Sequence, residues 1–594
     1  MCRIAGIISP GTDLDQLKAA VNVMCTTLQH GGPDDEGIFY DNEKGLVFGH
    51  RRLSLIDLTS GGHQPMADLH KKAWITFNGE IYNYRELKDE LIRLGAQFHS
   101  NSDTEVIIQA YLYWGITAFE KIQGMFAFAL FDTAKNTTYL VRDSSGIKPL
   151  YYHIQNKQLS FASEIKALKL ASIATEGDEN WRIRFLAYGH IPEPYTTLKN
   201  VFSLPKGSFL RWDNKESTFT ISTYTQTDHI SLVYTADQAR EYIHQALKAA
   251  VNRQLVADAP LGVFLSGGID SSIITLLTNQ QHQNLKTVSI FFNEGAYDES
   301  SYQNAVSDKI QGERFAHLVK QKDFNTHLPQ IINAMDMPTT DGINSWFISK
   351  YAHEDGLKAV LSGIGADELF GGYPSFKRIK NLKYLRMLPK QLLGTARHFK
   401  ADKYKKLSYL QYDHYLADYL LLRGIFVPDD IAKILDADIN QVDEVLFGDC
   451  SYPPIKSYDE QLASDFETNL YMQNQLLRDT DVMSMSHGLE VRVPFLDEAF
   501  IKVVQSIAPQ IRFDNNPPKK LLIDSFKDLL PPAVWNRPKM GFSFPLQQWM
   551  KQHTDISNES LYTNKTAKSI ITQFKNGGVH WSKAFMLYQL NKHE

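Results

Sequence analysis

Three stretches of this 594-residue chain hold side chains whose types and spacing suit chemistry. Cys2 stands directly behind the initiator methionine in MCRIAGII. With Met1 removed, one residue would carry a thiol and a free α-amine titrating near pH ~8, and the neutral amine could relay the thiol proton. In LGVFLSGGIDSSIITLLTN an apolar strand runs into a loop of Leu265, Ser266, Gly267, Gly268, Ile269, Asp270, Ser271 and Ser272, then into a helix near Ile273. Glycines there let backbone amides approach a phosphate, and amides at a helix start favour an anion. The lysine and spacing of a Walker loop are missing, so transfer of a γ-phosphate is not implied. LKAVLSGIGADELFGGY repeats the arrangement, with Ser362, Gly363, Gly365, Asp367 and Glu368 at a second strand end. Asp270 and Asp367 converging on a triphosphate would repel it unless Mg2+ lay between them.

The elements that must position these groups differ between the two ends of the chain. Up to about residue 205, RIAGIIS, GLVFGH, AWITFNG, GMFAFALFD and TTYLVRD read as short strands joined by tight turns. Their turns carry more polar residues than hairpins need: Arg52 in HRRLSLID, Asn78, Gly79 and Glu80 in FNGEIYNY, and Asp103 in SNSDTEVI. A guanidinium can clamp an α-carboxylate, a carboxylate can hold an α-ammonium, and Asn78 with the Gly79 amide can stabilise an oxyanion. Taken singly, Asp103 also suits a helix N-cap and Asn78-Gly79 a turn. From Tyr234 the pattern changes: ADQAREYIHQALKAAVNRQL has helical spacing, and strands then alternate with helices, the mark of a parallel sheet.

MCRIAGII, HGGPDDEG, RRLSLID, FNGEIYN, SDTEVI and VRDSSGIKPLYY, in this order, resemble the glutamine amidotransferase domain of the N-terminal-nucleophile class. SGGIDSS resembles the pyrophosphate-gripping loop of the ATP pyrophosphatases, and LRDTDVMSMSHGLEVRVPFLD with NRPKMGFSFPLQQW resembles the C-terminal half of glutamine-hydrolysing asparagine synthetases. The resemblance implies an α/β protein: an N-terminal αββα amidotransferase domain over 1–210, a hairpin and linker over 211–235, and a synthetase domain over 236–594. It implies Cys2 as nucleophile, Asn78 and Gly79 as oxyanion hole, and Arg52, Glu80 and Asp103 as glutamine binders. Leu265, Ser266, Gly267, Gly268, Asp270, Ser271, Ser272, Ser362 and Gly363 would bind ATP, Asp270 and Asp367 would hold Mg2+, and Lys539 would neutralise charge on the acyl-adenylate and pyrophosphate. Lys520 is a second candidate for that role.

By the same resemblance ATP adenylates an acceptor carboxylate and ammonia from glutamine displaces AMP, along an enclosed passage between the domains. Aspartate is the expected acceptor, and a sugar acid or specialised metabolite is the alternative. The alternative arises because SGIGADE puts Ile364 where the family usually carries an acid. Gly31 in HGGPD likewise replaces the family's usual Arg. The glucosamine and phosphoribosylamine branches do not use the pyrophosphate loop, and the related β-lactam-forming cyclases lack the N-terminal cysteine.

Composition fits an ordinary globular protein, with 43% hydrophobic and 22% charged residues and a net charge of −5. That balance gives no case for nucleic acid or an anionic membrane as partner. Three cysteines, Cys2, Cys25 and Cys450, make no disulfide framework or metal spacing. A cytoplasmic protein without a spanning segment or secretion signal is the expectation, and a homodimer is left open. Between Phe376 and Leu407 eleven Lys or Arg face one acid, Asp402, and solvated helical faces with buried stems are expected there rather than a nucleic-acid patch.

Overall fold

The structure is a computed structural model that describes residues 2–225, 232–282, 284–399, 401–449, 452, 454–514, 516–538 and 540–592. Its first part holds β1 (Arg3–Ile8), β2 (Asp35–Asp41), β3 (Leu46–Arg52), β4 (Met66–Ala67), β5 (Ala73–Ile81), β6 (Gly124–Asp132), β7 (Thr137–Arg142), β8 (Tyr151–Gln155), β9 (Gln158–Ala162), β10 (Val201–Ser203), β11 (Ser208–Asp213) and β12 (Thr218–Thr223). They form two six-stranded sheets, in the orders β10-β8-β9-β1-β3-β2 and β12-β11-β7-β6-β5-β4.

The two-residue repeat of a strand explains the layering. Ile4 and Ile8 of β1 share a core with Ala127, Ala129 and Trp212 of the facing sheet. Ala5 and Ile7, on the opposite face, share one with Leu17, Val21 and Met24 of the helix Leu14–Thr27. Beyond the second sheet, Phe77, Phe126 and Phe128 pack with residues of the helices Tyr84–Arg93 and Asp103–Trp114. The order of layers is helix, sheet, sheet, helix. The hairpin of β11 and β12 pairs with β7, so the chain stays in the second sheet as far as Thr223.

A third sheet follows, wholly parallel, with β13 (Leu261–Phe264), β14 (Leu285–Phe291), β15 (Gly312–Leu318), β16 (Ala359–Leu361) and β17 (Glu490–Arg492) in the order β15-β14-β13-β16-β17. The chain steps outward from β13 to β14 and β15, then returns to place β16 on the other side of β13. That reversal is a switch point, where ligands bind in open α/β sheets. The helix Ala236–Gln254 buries Ala239, Ile243, Leu247, Ala250 and Val251, at three- and four-residue spacing, in one core with the helix Ile269–Asn279. Farther on lies a wide helix with i→i+5 bonding, Glu467–Leu477, continued by the regular helix Arg478–Met485. Long runs of this geometry are rare and favour functional positions.

Candidate active sites

Cys2 precedes β1 and is buried, its Sγ donating to the Leu53 carbonyl at 4.0 Å. Burial pushes its thiol up to about 11, and Arg52 and Glu80 are near enough to act on it in opposite directions. Arg52 ends β3, and its guanidinium is held by carbonyls of the following loop, Nη1 to Thr59 at 3.0 Å and Nη2 to Asp57 at 2.5 Å. Asn78 and Gly79 sit in β5 opposite Ala127 and Phe126. A Cβ on Gly79 would lie 2.2 Å from the Met125 carbonyl oxygen, so only glycine fits this approach. Both polar atoms of the Asn78 side chain are buried with no hydrogen-bond partner among the described residues, an unsatisfied state that a ligand or water relieves. Asp103 opens its helix, but the cap is Ser102, whose side chain accepts from Thr104 N. Asp103 Oδ2 instead accepts the Ile81 amide at 3.0 Å, and burial pushes its carboxyl up to about 6. Glu80, also buried, is driven well above the ordinary carboxylate range by desolvation and by Glu490 and Asp103.

The second cluster lies at the switch point. Ser266 Oγ and Ser271 Oγ are 3.0 Å apart, the Gly268 amide donates to Ser266 Oγ at 3.3 Å, and Ser272 Oγ donates to the Gly268 carbonyl at 2.6 Å. Gly267 has a φ of 81°, which suits glycine, and a Cβ there would lie 3.0 Å from Tyr302 Cβ. Leu265 continues the sheet, donating its amide to the Val288 carbonyl at 2.9 Å. The loop after β16 comes so near that a Cβ on Gly363 would lie 2.8 Å from Asp270 Cβ and 2.9 Å from the Ser271 nitrogen. Lys519 Nζ bridges the two loops, 2.7 Å from Asp270 Oδ2 and 2.7 Å from Asp367 Oδ1. This buried pairing pulls its ammonium pKa well above the ordinary lysine range. Two hard-oxygen carboxylates are what Mg2+ uses when substrate phosphates complete its shell, and this donor set would fit the ion once the Lys519 ammonium that bridges both carboxylates moves off them.

One residue touches both clusters. Arg492, in β17 and wholly buried, puts Nη2 3.8 Å from Glu80 Oε1, while its carbonyl accepts the Ser362 amide at 2.8 Å. Its Nε donates to Glu490 Oε1 at 2.5 Å and its Nη1 to the Gln254 and Val256 carbonyls at 2.7 Å each. The halves also meet through Lys358 Nζ to Asp34 Oδ2 at 2.7 Å, Lys148 Nζ to Asp481 Oδ1 at 2.8 Å and the Glu193 amide to Asn474 Oδ1 at 3.0 Å.

Comparison with known proteins decides the lineage. The family described as Asparagine synthase matches residues 222–574, and the Glutamine amidotransferase domain matches residues 1–225. The chain belongs to the asparagine synthase family. Asparagine synthetase [glutamine-hydrolyzing] 1 of Bacillus subtilis is 32% identical over 93% of this chain and 88% of its own. A putative glutamine-hydrolysing asparagine synthetase of Mycobacterium tuberculosis is 31% identical over 88% of this chain and 84% of its own. An amidase of Gibberella zeae is 26% identical over 92% and 90%. As an asparagine synthase family member with an amidotransferase domain, the chain is an ATP-dependent amidotransferase of the ligase class.

Within this family frame the sequence missed three residues. Lys519, neighbour of the Lys520 considered from PPKKLLIDSF, is the buried one, whereas Lys520 is exposed and pairs with Asp514 at 2.5 Å. Two adjacent lysines carry no signal for which turns inward. Arg537, in NRPKMGF, donates Nη2 to the Gly267 carbonyl at 3.1 Å and to Glu299 Oε1 at 2.6 Å, which braces the first loop. Arg492 is the third, and only the meeting of the two halves reveals it. Lys539 lies outside the described residues. In the basic segment, Lys390, Arg397 and Lys405 pair with Asp413, Asp429 and Asp430. Tyr384, Met387 and Leu392 of the same segment are exposed.

A cavity of about 310 Å3 lies beside the wide helix. Its lining includes Asp341, Asn344, Arg423, Tyr471 and Gln475, the last two supplied by the wide helix. Arg423 stacks 3.8 Å from the Tyr471 ring centre, also faces Tyr373 at 4.6 Å, and pairs with Glu467 at 2.6 Å. Tyr373 Oη donates to Glu368 Oε1 at 2.9 Å, which ties this wall to Asp367's helix.

Proposed function

We propose that the chain converts aspartate to asparagine with ammonia drawn from glutamine, through a β-aspartyl-adenylate. The observation that carries the reading is Arg492, whose side chain reaches the glutamine-pocket candidate Glu80 and whose carbonyl holds the loop of Ser362. One strand thus serves both chemistries.

Cys2 attacks the side-chain carbonyl of glutamine. Burial raises its thiol pKa, so a base must act during attack, and the α-amine that removal of Met1 would expose on the same residue is the group proposed for it. The Asn78 amide and the Gly79 N–H receive the oxyanion, Arg52 and Asp103 hold the two charges of the amino-acid end, and Glu80 completes the pocket. Ammonia leaves, water hydrolyses the thioester, and glutamate is released. In the second site Ser266, Gly267, Gly268, Ser271 and Ser272 cradle phosphate with Leu265, Ser362 and Gly363 around the nucleotide. Mg2+ held by Asp270 and Asp367 would shield phosphate charge there. The acceptor carboxylate attacks the α-phosphorus, pyrophosphate departs past Lys519, with Lys539 assigned by resemblance alone to neutralise its charge, and ammonia displaces AMP to leave the amide. In the cavity beside the wide helix, Arg423 and Asp341 offer opposite charges to the amino-acid end of aspartate.

The test is pyrophosphate release with saturating ammonium and a panel of carboxylates. Aspartate is expected to be turned over best, and Arg423→Lys to raise its KM without altering glutamine hydrolysis. Release with another carboxylate and none with aspartate would replace aspartate as the acceptor.

A further inference from the structure

Arg3 follows Cys2 in the chain and opens β1. Its side chain is wholly buried at the meeting of the two halves. Nε donates to Glu164 Oε1 at 2.8 Å, and Nη1 crosses to Asp481 Oδ2 at 2.7 Å. Asp481 also takes Lys148, and Glu164 takes His30 Nε2 at 2.8 Å and Lys166 Nζ at 2.6 Å. Asp336 faces the same cluster by accepting the amides of Ile165 and Lys166. Two buried acids thus bind four basic side chains, of which Arg3 and Lys148 are buried and His30 and Lys166 reach partly to solvent.

Gly31 has a steric reason in this cluster. A Cβ on it would lie 2.7 Å from Arg3 Cγ, 3.0 Å from Nε and 3.3 Å from Cδ. A long side chain at position 3 and any side chain at position 31 therefore compete for one space. Asp481 sits in the helix Arg478–Met485, which leads within a few residues into β17, whose Arg492 carbonyl holds the Ser362 amide. The partner of Arg3 thus lies on the helix that precedes the strand holding the second loop.

We propose that Arg3 is a positioning residue that fixes the backbone of Cys2 to Asp481, so that glutamine is hydrolysed productively only when the two halves are docked, and that Gly31 stays small to admit this guanidinium. The proposal rests on Cys2 as the nucleophile. A planar fork holding one carboxylate on each side sets both distance and direction, which a lysine does not. Misplacing a nucleophile by about 1 Å can cost about 10²-fold in rate.

Four full-length variants test it: Arg3→Gly, Gly31→Arg, the two combined, and Asp481→Asn. Each is read by glutamine-driven and ammonium-driven pyrophosphate release and by glutamate formed per pyrophosphate. Arg3→Gly and Asp481→Asn are expected to lower the glutamine-driven rate by up to about 10²-fold, to leave the ammonium-driven rate unchanged and to raise glutamate per pyrophosphate. Gly31→Arg alone is expected to lose glutamine-driven activity by collision, and the combined variant, relieved of the collision but still lacking the Arg3 tie, to recover only to the level of Arg3→Gly. An unchanged ratio of the two rates in Arg3→Gly, or a combined variant no better than the worse single one, overturns the proposal. Should Arg3→Gly not fold, Arg3→Lys takes its place, and an unchanged ratio there overturns it equally. Cys2→Ala separates the two readings, because residual glutaminase activity in that variant removes the nucleophile assignment, whereas the Arg3 series is read in proteins that keep Cys2.

Discussion

A Cβ built on Gly363 falls 2.8 Å from the Cβ of Asp270, closer than two such atoms pack. The two strand-end loops therefore approach at a distance only glycine permits. Gly363→Ala is expected to push Asp270 off Lys519 and lower pyrophosphate release by about 10²-fold, with glutamine hydrolysis retained. Wild-type pyrophosphate release in this variant would show that the close approach is not needed.

Lys519 holds Asp270 and Asp367 together while buried among them. Removing the ammonium leaves two facing carboxylates to repel each other and the phosphates. Lys519→Met should lower pyrophosphate release by about 10²- to 10³-fold, the usual cost of deleting one preorganised charge. Lys520→Met, on the exposed neighbour, should change little. Equal loss in the two variants would place the critical charge elsewhere.

Cys2→Ala is expected to abolish glutaminase activity and leave ammonium-driven amide formation intact, since the two clusters lie on different sheets. A mass spectrum of the active protein should show Met1 removed. A fully active glutaminase that retains Met1 would exclude the α-amine as base.

The pH dependence follows from Asp103, whose carboxyl is raised from the ordinary 3.8 to about 6 by burial. Only the ionised form can hold an α-ammonium. The kcat/KM for glutamine should therefore fall as pH drops through about 6, by about tenfold per unit below it, while ammonium-driven synthesis is free of this step. For stability the sign is opposite: the unfolded chain ionises this group more readily, so its contribution to the fold is lost as pH rises from 3.8 through about 6. Titration of both activities between pH 5 and 8 checks the first expectation. The ammonium-driven limb reports Asp341, also raised to about 6 by burial, so a glutaminase acid limb that persists unchanged in Asp103→Asn is the result that would exclude Asp103.

Much of the fold was legible because it rests on local periodicity. The five strand segments read from the first third became β1, β3, β5, β6 and β7, since alternating faces are forced by the two-residue repeat. In SGGIDSS only Ser266, Gly267 and Gly268 belong to the turn after β13, and residues 269–272, expected in the loop ahead of a helix start near Ile273, form the first turn of the helix Ile269–Asn279, because the Ser272 hydroxyl bonds back to the Gly268 carbonyl inside it. The cap of the Asp103 helix was less legible, because Ser102 and Asp103 are both good capping types and the choice depends on Ile81, a distant residue that takes the Asp103 carboxylate.

The sequence by itself determined the family and pointed to two chemistries: a cysteine behind Met1 with candidate amino-acid-binding residues in order, and a glycine- and serine-rich loop on a parallel strand. These are short-range patterns, written within a few residues of each other. Tertiary structure alone decided how they are joined. Arg492 meets Glu80, Arg3 meets Asp481, and Lys519 rather than Lys520 turns between two acids. Each of these is a charge whose burial is tolerable only because its partner arrives from a distant part of the chain. No local pattern encodes that, because the cost of burying the charge and the interaction that offsets it exist only once the sheets and helices have packed.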